Sequence, residues 1–269
     1  MPTRRAVIAG LAALPFGAPF FCARAEANFI LLGSTTTTEN SGLLGHVIPI
    51  FEAETGIGVR VVVAGTGKIL RLLEDGDLDL SLTHFPEGEA EMVARGVAAA
   101  RLPVMSNDFL IVGPADDPAG ARDAETAADA LARIARTEAT FYSRGDESGT
   151  HRKERSLWPA PPLSGPAAPR WYRETGAGMG ATLNIAASVG GYTLADRGTW
   201  AAFGNRGELA VLFEGGGDLA NPYAILLPVQ PAANLQGARL FADWLSSEAG
   251  RDAIDSYRIG DEQVFFATR

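Results

Sequence analysis

The sequence predicts an α/β protein made of two lobes, and three observations support this fold class. From residue 29 onwards, short apolar runs that suit buried strands alternate with amphipathic runs that suit helices. Stretches rich in helix and strand breakers interrupt this alternation at Pro114–Ala121 and at Asn221–Pro222. The chain has 269 residues, 46% of them hydrophobic, which is enough for two cores. We therefore predict residues 28–113 as lobe 1, residues 114–221 as lobe 2 and a last segment over residues 222–269.

Residues 1–27 differ from the rest of the chain and predict a cleavable export signal. Arg4 and Arg5 precede the apolar run Ala6–Phe21, and Ala23 and Ala25 are small residues suited to a cleavage position. The run is too short and too interrupted by proline to span a membrane, so we expect a periplasmic protein without direct membrane insertion. The arginine pair is also compatible with a twin-arginine export route.

Cysteine content and charge exclude several classes of function. Cys22 is the single cysteine and lies in the predicted signal, so the mature chain would have no disulfide, cysteine metal site or cysteine nucleophile. Cleavage after Ala25 would leave 20 of the 23 basic residues against 32 acidic ones, which changes the net charge from −9 to −12. Such a chain is a poor candidate for binding nucleic acid. An anion would have to be held by local geometry.

Lobe 1 is predicted to begin with strands and helices in alternation. The predicted strands are Phe29–Leu32, Val59–Val63, Leu78–Leu82 and Phe109–Val112. A helix that ends near Gly56 is expected to bury Leu43, Leu44, Val47, Ile48 and Phe51, and a second helix is predicted over Lys68–Leu73.

The remaining elements form lobe 2 and the last segment. In lobe 2 we predict the helix Ala124–Arg136, the strand Ala139–Tyr142, the helix Met179–Ser188 and the strand Leu209–Phe213. After Pro222 we predict the strand Tyr223–Val229 and one long helix, Asn234–Tyr257. That helix is expected to bury Leu240, Phe241, Trp244 and Leu245.

Three strand-to-helix junctions carry the residues that we consider for binding. Each places hydroxyl groups and glycines where a helix starts, and a helix N-terminus offers unpaired N–H groups and a partial positive charge to an anion. One such junction is usually an ordinary cap, but five consecutive hydroxyl residues exceed what a cap needs. Arg144 adds a permanently charged fork that matches oxyanion oxygens. The candidates are Ser34, Thr35, Thr36, Thr37, Thr66, Ser143, Arg144, Ser148 and Thr150.

Two glycine-rich segments are not nucleotide-binding motifs. Near Gly65–Lys68, Val62 stands where a phosphate-binding loop needs its first glycine, and Ile69 stands where it needs a hydroxyl residue. Gly176–Ala181 fits the dinucleotide pattern but follows a polar segment instead of a strand, so we interpret it as a helix start.

Metal binding and hydrolysis are weaker readings of two further clusters. His84 with Glu87, Glu89 and Glu91 offers a single histidine, and acidic residues there are typical of a helix N-terminus. Ser148, His151 and Asp146 have the residue types of a hydrolase triad, but three members within six residues cannot easily form the relay. We therefore expect a binding protein and not an enzyme.

Seven stretches, taken in order, resemble the periplasmic tungstate-binding protein family, which serves tungstate ABC transporters. They are STTTTENSGLL, VVVAGTGK, VMSNDFLIVGP, FYSRGDESGTH, GAGMGATL, YTLADRGT and NPYAILL. The resemblance implies a two-lobed periplasmic binding protein fold of the molybdate-receptor-like type II class, with mixed, mainly parallel sheets and a ligand cleft between the lobes. It also supports a return of the chain to the first lobe, so that residues 28–113 and 222–269 form lobe 1 and residues 114–221 form lobe 2. It implies a monomer that takes tungstate or molybdate as ligand, with no cofactor and no other metal, and delivers it to a permease in the inner membrane.

Carried over by position, the resemblance implies ligand contacts at two motifs and near a third. The hydroxyl motif falls on Ser34, Thr35, Thr36 and Thr37, where Ser34 and Thr37 replace the threonine and serine usual in the family. The second motif falls on Ser143, Arg144, Gly145 and Asp146, and Arg197 is placed near the cleft.

Asp146 is the residue that keeps a second ligand open. Tungstate is a fully deprotonated dianion at neutral pH, so every contact to it should be a donor, and a carboxylate would repel it. We predict that Asp146 pairs with Arg144 or Arg152 and orients the loop. If it instead faces the ligand, a protonated anion such as hydrogen phosphate fits better.

Overall fold

The computed structural model describes residues 28–160, 165–230 and 232–269, so the predicted export signal lies outside the described residues. The strands are β1 (Phe29–Thr35), β2 (Gly58–Ala64), β3 (Leu80–Thr83), β4 (Ala98–Pro114), β5 (Phe141–Ser143), β6 (Tyr172–Glu174), β7 (Thr193–Asp196), β8 (Leu209–Phe213), β9 (Ala220–Pro228), β10 (Arg258–Ile259), β11 (Glu262–Gln263) and β12 (Phe266–Ala267). The helices are α1 (Thr36–Asn40), α2 (Leu43–Thr55), α3 (Thr66–Glu74), α4 (Pro86–Ala94), α5 (Ala127–Arg136), α6 (Gly149–Leu157), α7 (Met179–Val189), α8 (Arg197–Ala202), α9 (Leu235–Ser246) and α10 (Glu248–Ser256). None of these helices is both long and apolar enough to cross a membrane.

Lobe 1 is built on a mixed sheet. Strands β2, β1 and β3 are parallel neighbours, and β9 and β4 continue the sheet in antiparallel pairing. Its core is formed by apolar side chains of β1, α2, β9 and α9, including Leu32, Phe51, Ile225 and Phe241. Of the five α2 residues predicted to be buried, Leu43, Leu44, Val47 and Phe51 are buried, and Ile48 is partly buried.

The 17-residue strand β4 belongs to both lobes. Its residues up to Asp108 pair with β9, whereas Phe109–Pro114 pair with β7 and β8. Phe109 and Ile111 enter one core of lobe 2 while Leu110 and Val112 enter another, because successive strand residues point to opposite faces. The pairing changes at Asp108, inside the strand and five residues before the predicted boundary at 113.

The predicted long helix Asn234–Tyr257 is wrong in one respect, because the segment forms two helices. Ser247 is in extended backbone conformation between α9 and α10, and its hydroxyl caps α10 by accepting from the N–H of Gly250. Phe241, Trp244 and Leu245 are buried as predicted, but Leu240 is 43% exposed. A capping serine within an apolar pattern ended the helix that periodicity alone would continue.

Candidate functional site

The carboxyl ends of the parallel strands in lobe 1 bring the first two junctions together. β1 ends at Thr35 and β2 at Ala64, and these two residues are register partners. Thr36 and Thr37 begin α1, and Thr66 begins α3, so the three hydroxyl residues follow neighbouring strands at one edge of the sheet. Ligands of open α/β sheets bind at this edge.

The first half of the hydroxyl run is occupied by contacts within lobe 1. The Ser34 hydroxyl donates to the carbonyl of Leu82 at 3.2 Å, and the Thr35 hydroxyl caps α1 by accepting from the N–H of Thr38 at 3.2 Å. The Thr35 and Thr38 hydroxyls also lie 2.9 Å apart. Because a hydroxyl has one proton, Ser34 cannot donate to a ligand while it donates to the sheet. The structure thus leaves the hydroxyl protons of Thr36 and Thr37 available in this run, together with one proton of the Thr35–Thr38 pair.

In lobe 2 the loop between β5 and α6 is stabilised by the carboxylate of Asp146, which belongs to the same loop. Asp146 accepts from Arg144 Nη2 at 2.5 Å and from the backbone N–H of Ser148 at 3.2 Å. Gly145 has φ of +59°, and a Cβ there would lie 2.6 Å from the Cβ of Glu174, so this turn requires glycine. The prediction that Asp146 pairs with an arginine and orients the loop is confirmed.

Arg144 lies at the centre of the candidate site and links the two lobes. It is 4% exposed, and its Nη1 donates to the Thr37 hydroxyl of lobe 1 at 3.2 Å and to the Thr150 hydroxyl of lobe 2 at 3.3 Å. Its Nε has no hydrogen-bond acceptor among the described residues. Since both threonine oxygens accept from the arginine, both hydroxyl protons remain available to an acceptor. A buried cation flanked by free donors is an environment suited to an anion.

Helix α6 adds further donors beside Arg144. Ser148 is its N-cap, and the Ser148 hydroxyl accepts from the N–H of His151 at 3.2 Å, which leaves the hydroxyl proton free. Gly149 and Thr150 are the first two residues of this nine-residue helix, so their N–H groups have no partner within it. The predicted donors Ser148 and Thr150 are therefore joined to Arg144, Thr150 directly and Ser148 through Asp146.

Ser143, also predicted as a ligand contact, points its hydroxyl at a different group. It donates to the carboxylate of Glu154, which also accepts from the Trp158 indole at 2.5 Å and from the Tyr172 hydroxyl at 3.1 Å. Burial raises the pKa of Glu154, while the hydrogen bonds from Ser143 and Trp158 oppose this shift. The Ser143 hydroxyl anchors the loop from behind, so the expectation that it donates to the ligand is not supported by its geometry.

Arg197 is not joined to this cluster by any hydrogen bond among the described residues. Its guanidinium makes a bidentate pair with Asp108 at 2.5 and 2.7 Å and also contacts Glu214 at 2.6 Å and Glu262 at 2.9 Å. The pair with Asp108 raises the pKa of Arg197. All three of its nitrogens are used by carboxylates, so the structure does not support the expectation that Arg197 donates to a ligand.

The sequence analysis did not predict a buried hydrogen-bond network beside the site. His84 is stacked on Tyr223, with ring centroids 4.8 Å apart, and its Nδ1 lies 2.9 Å from the Oδ1 of Asn221. Asn221 in turn donates to Asn107 at 2.7 Å, which joins the two strands that cross between the lobes. Burial lowers the pKa of His84 to about 4, and the nearby charge of Arg144 adds to the effect. The sequence signal that could have revealed this network is a single asparagine in each of two largely apolar strands.

The structure also tests the metal and hydrolase readings. Glu89 accepts from Thr83 at 2.7 Å and pairs with Arg101, and no cluster of three or more potential metal-ligating His, Cys, Asp or Glu occurs in the described part of the chain. The Nδ1 of His151 accepts from the N–H of Glu147 at 3.1 Å and makes no bond to the Ser148 hydroxyl. The serine and histidine are therefore not arranged as a nucleophile and its base.

Comparisons with known proteins agree with this geometry. A family model described as PBP superfamily domain matches residues 23–249. The tungstate-binding protein TupA of Peptoclostridium acidaminophilum is 38% identical over 234 residues, which are 85% of this chain and 81% of that protein.

Two solved structures resemble the chain over most of its length. The tungstate-binding protein TupA from Desulfovibrio alaskensis G20 is 40% identical, with 89% of this chain and 98% of that chain covered and a TM-score of 0.76. The structure of the tungstate ABC transporter from Geobacter sulfurreducens is 41% identical, with 85% and 98% covered and a TM-score of 0.77. These likenesses confirm the predicted fold class and the predicted family resemblance.

Proposed function

The chain belongs to the PBP superfamily and, within it, to the family of the tungstate-binding protein TupA, and we propose that it is an extracytoplasmic receptor for tungstate. It captures the anion between its lobes and delivers it to the permease of an ABC transporter in the inner membrane. It performs no reaction on the anion and needs no cofactor. The predicted export signal and the monomeric state belong to the same proposal.

The observation that carries this proposal is the position of Arg144. It is a buried cation that contacts a hydroxyl of each lobe, and its Nε has no protein acceptor among the described residues. Asp146 already pairs with this charge, but a buried N–H group is costly when no partner accepts from it. An oxyanion seated against Arg144 would supply that partner and would contact both lobes at once.

We propose a donor set in which each lobe contributes a different kind of group. Lobe 1 supplies neutral hydroxyls, and lobe 2 supplies the cation, two hydroxyls and the first N–H groups of α6. The proposed side chains are Thr36, Thr37, Thr66, Arg144, Ser148 and Thr150. Ser34, Thr35 and Ser143 shape the loops that carry these donors.

The number of donors is sufficient for tight binding. A hydrogen bond to a charged group contributes about 1.5–3 kcal/mol. Five or more such bonds, less the cost of association, reach about −12 kcal/mol, which corresponds to a roughly nanomolar Kd.

The alternative ligands are molybdate and phosphate. Molybdate has nearly the same size and charge as tungstate, so the same donors would bind it. The case for hydrogen phosphate rested on an acceptor facing the ligand, and both oxygens of Asp146 accept from groups of its own loop. The contacts of Asp146 therefore favour a fully deprotonated anion.

Thermal unfolding of the mature protein, freed of oxyanions, tests the proposal. Tungstate, molybdate, sulfate and phosphate are added separately at hundredfold excess over Kd, where a ligand stabilises by about 2.7 kcal/mol. For a chain of this size the expected increase in Tm with tungstate is roughly 5–11 °C. An increase with phosphate alone would move the assignment to a phosphate receptor, and no increase with any of the four anions would refute an oxyanion receptor.

A further inference from the structure

A second contact between the lobes lies at the first turn of α8, apart from the bond between Arg144 and Thr37. Gly198 of α8 approaches lobe 1 so closely that a Cβ there would lie 3.0 Å from the Cβ of Ser41 and 3.2 Å from the ring of Phe265. The residue before it, Arg197, contacts three carboxylates that come from different parts of the fold. This turn is therefore an interface between the lobes.

The three carboxylates do not have equivalent positions. Asp108 lies on β4 opposite Arg197, because Phe109 and Asp196 are register partners in the antiparallel pairing of β4 with β7. Glu214 directly follows β8 of lobe 2. Glu262 lies in β11, in the C-terminal segment whose neighbours Val264 and Phe265 enter the core of lobe 1. Asp108 lies where β4 passes from one lobe to the other, and of the two glutamates Glu262 is the one that reaches Arg197 from lobe 1.

We propose that Arg197 and Glu262 form a clamp that holds the lobes closed and sets the rate at which the bound anion is released. This inference rests on the proposed receptor function. Asp108 holds the guanidinium through a bidentate pair within the continuous sheet, so Arg197 is already oriented when Glu262 arrives. Arg197 acts on the ligand through lobe closure and is a positioning residue.

The chain offers a matched pair of variants to test the clamp. Glu262→Gln removes the contact across the lobes, whereas Glu214→Gln removes a contact within lobe 2. The two glutamate side chains are similarly exposed, at 47% and 55%, and each makes one contact with Arg197. Any general effect of reducing the charge around Arg197 should therefore be the same in both variants.

The first measurement is the tungstate dissociation rate by stopped flow at low ionic strength. Glu262→Gln is expected to release tungstate about twofold to fivefold faster than wild type, the range for a partly exposed ion pair, with the association rate nearly unchanged. Glu214→Gln should stay near the wild-type rate, and Glu262→Asp should recover part of the loss. Added salt should reduce the difference between Glu262→Gln and wild type because it screens exposed pairs. Equal dissociation rates for the two glutamine variants would overturn the clamp.

A second readout separates the clamp from the identity of the ligand. The sequence beyond residue 27 contains no cysteine, so spin labels can be placed at Val189→Cys in lobe 2 and Val229→Cys in lobe 1, both exposed. Without ligand, Glu262→Gln should populate longer distances between the labels than Glu214→Gln, and identical distance distributions would refute the clamp. A wild-type protein that binds no tungstate would instead refute the receptor function, and the label distances would still decide on the clamp.

Discussion

The two faces of the cleft differ in how they would hold an anion. Lobe 1 contributes neutral groups: the hydroxyls of Thr37 and Thr66, and His84, whose pKa is lowered by burial to about 4 so that the ring is neutral at pH 7. The lobe 2 face carries Arg144, held in place by Asp146. The cation and the acid that orients it therefore both belong to lobe 2, so closure of the lobes would add neutral donors to a cation that is already positioned.

Removing the charge of the lobe 2 face should have the largest effect. Arg144→Ala is expected to weaken tungstate binding by about thirtyfold or more, because truncation of a buried charged partner costs about 2–5 kcal/mol. Arg152→Ala is the control, since Arg152 lies in the next helix turn, is 46% exposed and stacks on Phe85 at 4.7 Å. Calorimetric Kd values for both variants provide the measurement. Similar losses in the two variants would show that general positive charge, and not the position of Arg144, governs binding.

The neutrality of the lobe 1 face can be tested by acid. The pKa of His84 is lowered from 6.5 to about 4, so its contribution to folding stability is fully present above pH 6.5 and is lost as the pH falls towards 4. Over this pH interval the free energy of unfolding of His84→Gln should therefore fall by about 3 kcal/mol less than that of the wild type. Urea unfolding at pH 7 and pH 4.5 measures the difference. His46→Gln, a partly exposed histidine of α2, is the control, and parallel curves for wild type and His84→Gln would contradict the assignment.

A smaller effect is expected from single hydroxyls, and it should differ within one motif. Thr37→Val removes a hydroxyl whose proton is free and should weaken binding by about tenfold to a hundredfold, from the 1.5–3 kcal/mol of a bond to a charged group. Ser34→Ala removes a hydroxyl that already donates to Leu82, so it should lower Tm slightly and leave Kd unchanged. The same contrast is expected between Thr150→Val and Ser143→Ala.

An equal loss of tungstate affinity in Ser34→Ala and Thr37→Val would contradict this difference between the two hydroxyls. It would mean that the whole hydroxyl run faces the ligand. Titration calorimetry with tungstate, together with a melt of each variant without ligand, separates loss of binding from loss of folding.

Much of the fold could be predicted because each element carries a local signal. The apolar spacing of α2 and the run of β3 follow from burial alone, and the helix starts at Thr66 and Ser148 follow from local backbone chemistry. The break at Ser247 was missed because one serine can cap a helix or lie within one, and packing decided between these possibilities. The strand β7 and the helix α8 were also missed, since Thr193–Asp196 is a short run that becomes a strand by pairing with β4.

The sequence by itself determined the α/β class, the two lobes and the residue types of the site. It singled out Arg144 and its loop as candidates because a permanently charged side chain stands there among glycines and hydroxyls, and the structure places that side chain between the lobes. Only the tertiary structure decided which hydroxyls are free, since Ser34 and Ser143 are occupied by Leu82 and Glu154, partners that no local pattern names. It also decided that Arg197 belongs to the contact between the lobes. A hydrogen bond depends on which distant atoms folding brings within about 3 Å, and that proximity is a property of the whole chain.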